Sequence, residues 1–414
     1  MANVKISDLT TKDVLTGGEF VPIVQSGTSF KATVSAIGNL SNIRSLTGQA
    51  IGLSGALSST IVGSNNSIVG GRNNNLSGLD SFIGGGFENV LSGSNSFIGS
   101  GRRNIIKNDQ SVIVAGNENT IDIDSCDKSF IGSGGNNKIN TRSRGNIVGG
   151  TGNILSAGST QASIVGGTGN LLSGGYVSFI GGGIYNTVEG QYAIIGGGKQ
   201  NKICSPLNIS SAAAIVGGTT NSLSGVGSFI GAGLANTSCG NRTVIGGGRD
   251  NYTKNAYSVI VGGNSNSNKS SQGFMGAGSC NTICSGTCSV LVGGECNIVC
   301  SGTVQFIGGG YRNCASGSVS VTVGGCVNDN KGTYSVLAGG RDNIICASSD
   351  SSIIGGKSNI LKHNCSFIAG SNITSVSSNM LHAQRLFLTS SCLPTSDPGV
   401  AGVVWNDSGT LKIS

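Results

Sequence analysis

A motif of the form apolar-x-x-Gly-x-x-Asn recurs nineteen times along this chain, once with Thr322 in the apolar place, and no other feature restricts the fold as tightly. It is clearest in SFIGGGFENVLSG (81–93), SFIGSGRRN (96–104), SFIGGGIYN (178–186) and QFIGGGYRN (305–313). The first motif Asn is Asn74 and the last is Asn359, so 285 residues span 18 intervals, about 15.8 per repeat, with 15 the commonest spacing. A fixed period of this kind marks stacked repeats. It is too short for a βαβ unit or a four-stranded propeller blade. It suits one coil with two short strands and two turns. The expected fold is all-β: a parallel β-solenoid, or β-roll, of about 19 coils of 15–16 residues. At a strand spacing of about 4.8 Å, such a stack is roughly 90 Å long.

Composition agrees. Of 414 residues 72 are Gly and only 4 are Pro, without the Gly-every-third pattern of collagen. Charged residues are 10% and aromatic residues 5%, too few large side chains for an ordinary globule of this length. Hydrophobic residues are still 37%, which argues against disorder. The net charge of +7 is spread thinly, with Arg102-Arg103 the only basic run, so no nucleic-acid footprint is expected. The polar start MANVKISDLTTKD has no apolar core of a signal peptide, and no stretch is apolar enough to span a membrane. We therefore expect the 13 Cys to be reduced thiols made in a cytoplasm.

The fixed residues have physical reasons. Gly stands three places after the apolar residue in every repeat, as a turn with positive φ requires. The Asn suits either a left-handed turn position or an amide ladder along the axis. A ligand-binding or ice-binding array is the functional alternative, and the turn ladder is the stronger reading.

Around the motif Ile, eight of the 12 Phe sit one position before it. Seven of these have Gly one position after it, as in Phe82 with Gly84 or Phe306 with Gly308; the eighth, Phe367, has Ala369. Where Val follows instead, as at Val114 or Val216, no Phe precedes. Strand side chains alternate, so these two positions share one face, and their volumes compensate. One face of the strand fills the interior and the other needs a cover. No other segment is apolar enough, so a second copy of the chain is the expected cover. This predicts a homo-oligomer, a parallel homotrimer.

Over about residues 50–375 the Ile-Gly repeats resemble the left-handed β-roll heads of trimeric autotransporter adhesins. That resemblance implies three chains packed around one axis. At the N-terminus, GEFVPIVQ (18–25) and TSFKATVSAI (28–37) read as a hairpin around Ser26-Gly27. The segment from Ile6 to Ile37 is similar to N-terminal modules of tail-fibre and other virion proteins of tailed phages. At the C-terminus a hairpin is expected, with strands near Val403–Trp405 and Thr410–Ile413. LPTSDPGVAGVVWNDSGTLKIS resembles a C-terminal element of phage structural proteins. Three regions follow: a capping or virion-attachment module over 1–45, the solenoid shaft over 46–375, and a β-hairpin cap over 376–414.

Chemistry is sparse. His363 and His382 are the only His. None of the Gly strings is a phosphate loop of the form G-x-x-x-x-G-K-[ST]. Asp122, Asp124 and Asp127 cluster in one expanded coil, which reads as a solvated loop before a cation site. The insertion between Cys204 and Ala213 reads as a tolerated loop or a ligand-facing bulge. Cys204, Cys239, Cys284, Cys300 and Cys346 each lie three residues after a motif Asn, and Cys280 and Cys296 lie just before one. All read first as small packing residues, with disulfides between coils or chains as the alternative under oxidation.

No catalytic, cofactor-binding or metal-binding residue is nominated. The expected function is a non-enzymatic phage virion protein, a tail fibre or spike, assembled in the host cytoplasm. Its expected partners are itself, other virion structural proteins and a host surface receptor. A polysaccharide-degrading tailspike enzyme and an ice-binding or adhesive solenoid of cellular origin are the alternatives.

Overall fold

The computed structural model describes residues 20–25, 28–33, 51–52, 56–122, 128–140, 144–156, 158–204, 212–385, 393–408 and 410–414, with side chains from Ser58 onward. The fold is an all-β parallel β-solenoid of about 21 turns, with no helix among the described residues. It divides into two compact units, Met1–Asn251 and Tyr252–Ser414, built from the same coil.

In one coil, Asn89 leads into the strand Val90–Leu91. A turn follows, then Ser96 and the strand Phe97–Ile98, and a Gly-rich turn closes at Asn104. Like strands of successive coils pair in parallel and in register: Phe97 with Val112, and Val90 with Ile105. Each unit thus has a first ladder of the Phe97–Ile98 type and a second of the Val90–Leu91 type. Alternation sends the middle residue inward. Ile83, Ile98 and Ile113 of the first ladder, and Leu76, Leu91 and Ile106 of the second, are fully buried. Each such burial is worth about 1.5–3 kcal/mol. The apolar interior is continuous from Ile61 to Ile245 in the first unit. In the second unit it breaks into two clusters, Ile260 to Ala315 and Leu337 to Ile368. Buried Thr322 and Asn330 occupy the gap.

The turn count exceeds nineteen because the outermost coils lack the Asn. Ser59 stands in the Asn column and its Oγ accepts the Asn74 backbone N–H at 3.2 Å. At the other end Ile373 takes that place, its N–H donating to Asn359 Oδ1 at 3.0 Å. Parallel pairing then runs on to Ala383, opposite Ala369.

The Asn column is a buried amide ladder. Asn89 Nδ2 donates to Gly85 O four residues back and to Gly101 O of the next turn, both at 3.0 Å. Its Oδ1 accepts the Asn104 N–H at 3.0 Å. The left-handed alternative for the Asn is not met. The residue before it takes that conformation instead: Glu88 (φ 57°), Arg103 (φ 54°), Tyr185 (φ 55°), Val327 (φ 56°). Such a φ costs a non-Gly residue about 1–2 kcal/mol. Coil-to-coil bonds hold it there, as from Glu88 N to Arg72 O (3.0 Å) and Tyr185 N to Thr168 O (2.9 Å). The turn Gly behaves as expected. Gly86 has φ +102°, and a Cβ on it would run into the carbonyl oxygen of Gly101.

The opposite turn carries a smaller version of the same device. Ser81 Oγ donates to Gly93 O at 2.9 Å and accepts the Ser96 N–H at 3.1 Å. Each coil is therefore two similar halves, a polar ladder residue followed two positions later by a buried aliphatic one.

Both expected hairpins are present. Phe20–Gln25 pairs antiparallel with Thr28–Thr33. Val404–Asp407 pairs antiparallel with Thr410–Ile413, with Lys412 ion-paired to Asp407 and lying over the Trp405 ring.

Candidate interaction faces

The two ladders present different chemistry outward. On the first, the residues flanking the buried aliphatic include no Asp, Glu, Lys or Arg from Ser67 to Gly246 in the first unit. The same holds from Val259 to Ala369 in the second. Apolar side chains there are half-exposed: Phe97 37%, Phe179 36%, Val148 52%, Val216 58%. The expected volume compensation takes a specific form. At six coils the Phe ring lies over its own following Gly, so that a Cβ on Gly99 would sit 3.2 Å from the Phe97 ring, and on Gly308 3.3 Å from that of Phe306. Phe82 and Phe97 stack with centroids 5.4 Å apart and planes 4° from parallel. The surface is thereby levelled. Between Val69 and Val244 ten large apolar residues of this face are more than a third exposed. At about 70 Å² each, scaled from full side-chain areas of roughly 150–250 Å², they present on the order of 700 Å². That exceeds the largest apolar patch of a typical monomer, about 300–600 Å².

The second ladder faces outward with charges and thiols. Lys107 pairs with Asp122 (2.9 Å), Lys202 with Glu189 (3.6 Å) and Lys331 with Asp329 (2.8 Å). Cys204 Sγ donates to Glu189 Oε2 at 2.8 Å. Burial and then Glu189 push the Cys204 thiol up, so it stays protonated rather than acting as a nucleophile. Further along, Cys300 and Cys314 bring their sulfurs within 3.6 Å. Burial and then Cys300 push the Cys314 thiol up to about 12.

The Gly-rich turns carry their own columns. Arg72 and Arg102 lie over the Phe87 ring, at 5.0 and 5.8 Å from its centroid. Arg103 bridges Glu88 (2.7 Å) and Glu118 (3.5 Å). The hydrogen bond it donates to Glu88 holds its guanidinium above the usual range.

Of the acidic trio in the expanded coil, Asp122 is taken up by Lys107. Asp124 and Asp127 lie outside the described residues, as do 205–211 of the other insertion. The two His are held locally: His363 Nδ1 is 2.8 Å from Ser375 Oγ, and His382 Nε2 is 3.2 Å from Ser377 O. Among the described residues no three His, Cys, Asp or Glu are arranged to hold a metal ion. No described helix is long and apolar enough to cross a membrane. Neither a protein-family model nor a curated protein sequence matches this chain.

Proposed function

We propose that this chain is a non-enzymatic structural protein of a virion, a tail fibre or spike, whose solenoid is a shaft assembled as a parallel homotrimer. The observation that carries this reading is the charge-free, levelled apolar face of the first ladder. Three copies meeting there would each bury an area near the roughly 800 Å² per partner of a stable interface. The second ladder, with its ion pairs, would remain in solvent. The likeness of the end segments to phage structural modules supplies the virion setting: a terminal hairpin region binds another particle protein, and the shaft carries a contact surface toward a host receptor.

The test is the mass in solution by light scattering under reducing conditions. A value near three times 41.2 kDa is expected. A stable monomer would sink the trimeric shaft. Antibody labelling of purified particles tests the setting separately, and a chain found only outside particles would remove the virion assignment.

A further inference from the structure

In every coil the first-ladder strand is flanked by two turns, a Ser turn before it and a Gly turn after it. Around Phe179–Ile180 these turns present Tyr176-Val177 and Ile184-Tyr185. Among the described residues, five coils carry a large apolar side chain in the Gly turn. In the first unit these are Phe87, Ile184 with Tyr185, and Leu234; in the second they are Tyr311 and Val327. The Ser turn of the same coil is apolar every time: Leu79, Tyr176 with Val177, Val226, Val304 and Val319. Fewer than half of the Ser turns are apolar, so composition does not produce this match. Nor does the match hold across the second ladder, where Phe87 is followed by Ser94-Asn95 and Leu234 by Asn241-Arg242.

The described contacts within the chain do not account for it. The two turns lie at opposite edges of the coil, and their side chains pack along their own columns. Tyr176 meets Tyr192 edge-on with centroids 5.5 Å apart, the Tyr185 ring lies over Gly169, and Arg72 and Arg102 lie over Phe87. Much apolar surface stays in solvent: Ile184 is 43% exposed, Tyr185 58% and Val304 53%. The backbone adds an independent observation. Among the described residues four Val take a left-handed φ: Val177 (50°), Val304 (56°), Val319 (52°) and Val327 (56°). A β-branched residue rarely adopts that conformation, and Gly or Asn would relieve it. All four lie in the turns of matched coils. Strain retained at those places points to a use for the apolar side chain.

We propose that copies of this chain meet with the Gly turn of one against the Ser turn of the same coil in the next: unlike turns in contact, copies parallel, coils level. This inference rests on the proposed trimeric shaft and adds the contacts that flank its apolar face. Copies related by rotation about an axis along the stack bring unlike turns together at equal height. Antiparallel copies bring like turns together with the coil order reversed, and a match within one coil then serves nothing. The contact is heterologous, and it closes into a ring when the rotation is a whole fraction of a circle. At the Phe179 coil, Tyr176 and Val177 of one copy cover Ile184 and Tyr185 of the next. Three further Ser turns carry Tyr without an apolar partner. Of these, Tyr192 and Tyr334 face Lys199 and Arg341, cations that a Tyr ring accepts.

The experiment is a charge exchange in the full-length chain. The readout is the protein concentration at which the assembly is half dissociated, from analytical ultracentrifugation over a dilution series. Val177→Lys and Tyr185→Asp should each raise that concentration about tenfold, because each carries an unpaired charge into the contact. Combined in one chain, the two charges face each other between copies and should return it to within about threefold of wild type. Val226→Lys with Leu234→Asp repeats the exchange on a second coil. The crossed pairs, Val177→Lys with Leu234→Asp and Val226→Lys with Tyr185→Asp, should show no recovery. Circular dichroism identifies any variant that misfolds, and the other coil then carries the test. Single charges without effect, matched pairs without recovery, or crossed pairs that recover equally would each overturn the proposed contact while the trimer mass stands. A wild-type monomer would instead remove the shaft reading, and this contact with it.

Discussion

Replacing Asn186 by Ala removes one rung from a fully buried ladder, and the structure fixes what each lost atom was doing. Asn186 Nδ2 donates to Gly182 O (2.9 Å) and to Gly198 O (3.0 Å), and lies 3.2 Å from Asn170 Oδ1 of the preceding rung, which keeps the Asn186 backbone N–H as a donor. Its Oδ1 accepts the Asn201 N–H at 3.0 Å. Gly198 O keeps a second donor, Ile184 N, at 2.9 Å. Gly182 O and the Asn201 N–H lose the only hydrogen bond seen for them. Leaving a buried polar group unpaired costs about 1–3 kcal/mol; the Asn201 N–H is buried and Gly182 O only partly so, which makes roughly 6 kcal/mol the ceiling for the two. Asn186→Ser separates the two roles, because Ser59 in the same column shows that a hydroxyl can accept the next N–H. The Ser variant should recover about 1–3 kcal/mol of the loss. Repeat stacks open locally, so the assay is amide exchange across residues 182–201, backed by urea unfolding. A loss below about 1 kcal/mol for Asn186→Ala, or equal losses for Ala and Ser, would refute the ladder as a determinant of stability.

Gly86→Ala should destabilise by at least about 2 kcal/mol, since its φ is +102° and its Cβ would strike the next coil; Gly197→Ala, with open space around it, should be neutral in the same thermal melt. Thr322→Val removes a buried hydroxyl that has no partner, and should raise stability by about 1–2 kcal/mol in urea unfolding. The folded chain holds the Cys314 proton up to about pH 12 while the unfolded chain releases it near 9. Stability contributed by this thiol is therefore intact below pH 9 and lost as pH rises toward 12. Denaturation midpoints taken across that window should fall, and should fall less in Cys314→Ser. Val216→Asp, on the outer face of the first ladder, should shift the light-scattering mass toward 41.2 kDa while leaving circular dichroism unchanged.

The features legible in the sequence are those that every coil must repeat. A Cβ at the turn Gly meets the next coil, and only an amide both donates twice and accepts at the buried rung, so both columns stay nearly invariant. The Ser rung is harder to see. Ser81, Ala162, Thr243, Gly273 and Gln305 all occupy it, because the neighbourhood adapts to each. Gly273, for instance, leaves room for the buried Asn268, whose amide donates to Gly273 O at 2.9 Å. The left-handed positions are hidden for a related reason. Coil-to-coil hydrogen bonds impose the conformation on Tyr185, Arg103 or Val327 regardless of local preference. The two extra coils lack the motif Asn at Ser59 and Ile373, so a search for that motif stops short of them. The apolar outer face was readable from Phe–Gly compensation. The Cys300–Cys314 contact was not, because the sequence separation of 14 differs from the in-register spacing of the neighbouring coils.

The difference between the two outer faces is the strongest structural argument about how this chain is used. Both ladders satisfy the same backbone and bury the same kind of aliphatic residue, so stacking alone does not require them to differ outside. Yet Lys107, Asp122, Lys202, Glu189, Asp329 and Lys331 all lie on the second ladder, and none of the outward positions on the first is charged. Isolated surface ion pairs contribute only about 0–1 kcal/mol, so their placement does little for the coil itself. What charge does strongly is oppose desolvation: a single unpaired charge carried into an interface costs several kcal/mol. A face kept clear of charge over successive coils, and levelled by laying Phe rings over Gly, is suited to being covered along its length. In the proposed assembly the side with the thiols and ion pairs would stay in solvent. An Asp on the first face should therefore disrupt assembly, whereas an Asp at an outward position of the second, such as Ser224→Asp, should leave the mass unchanged.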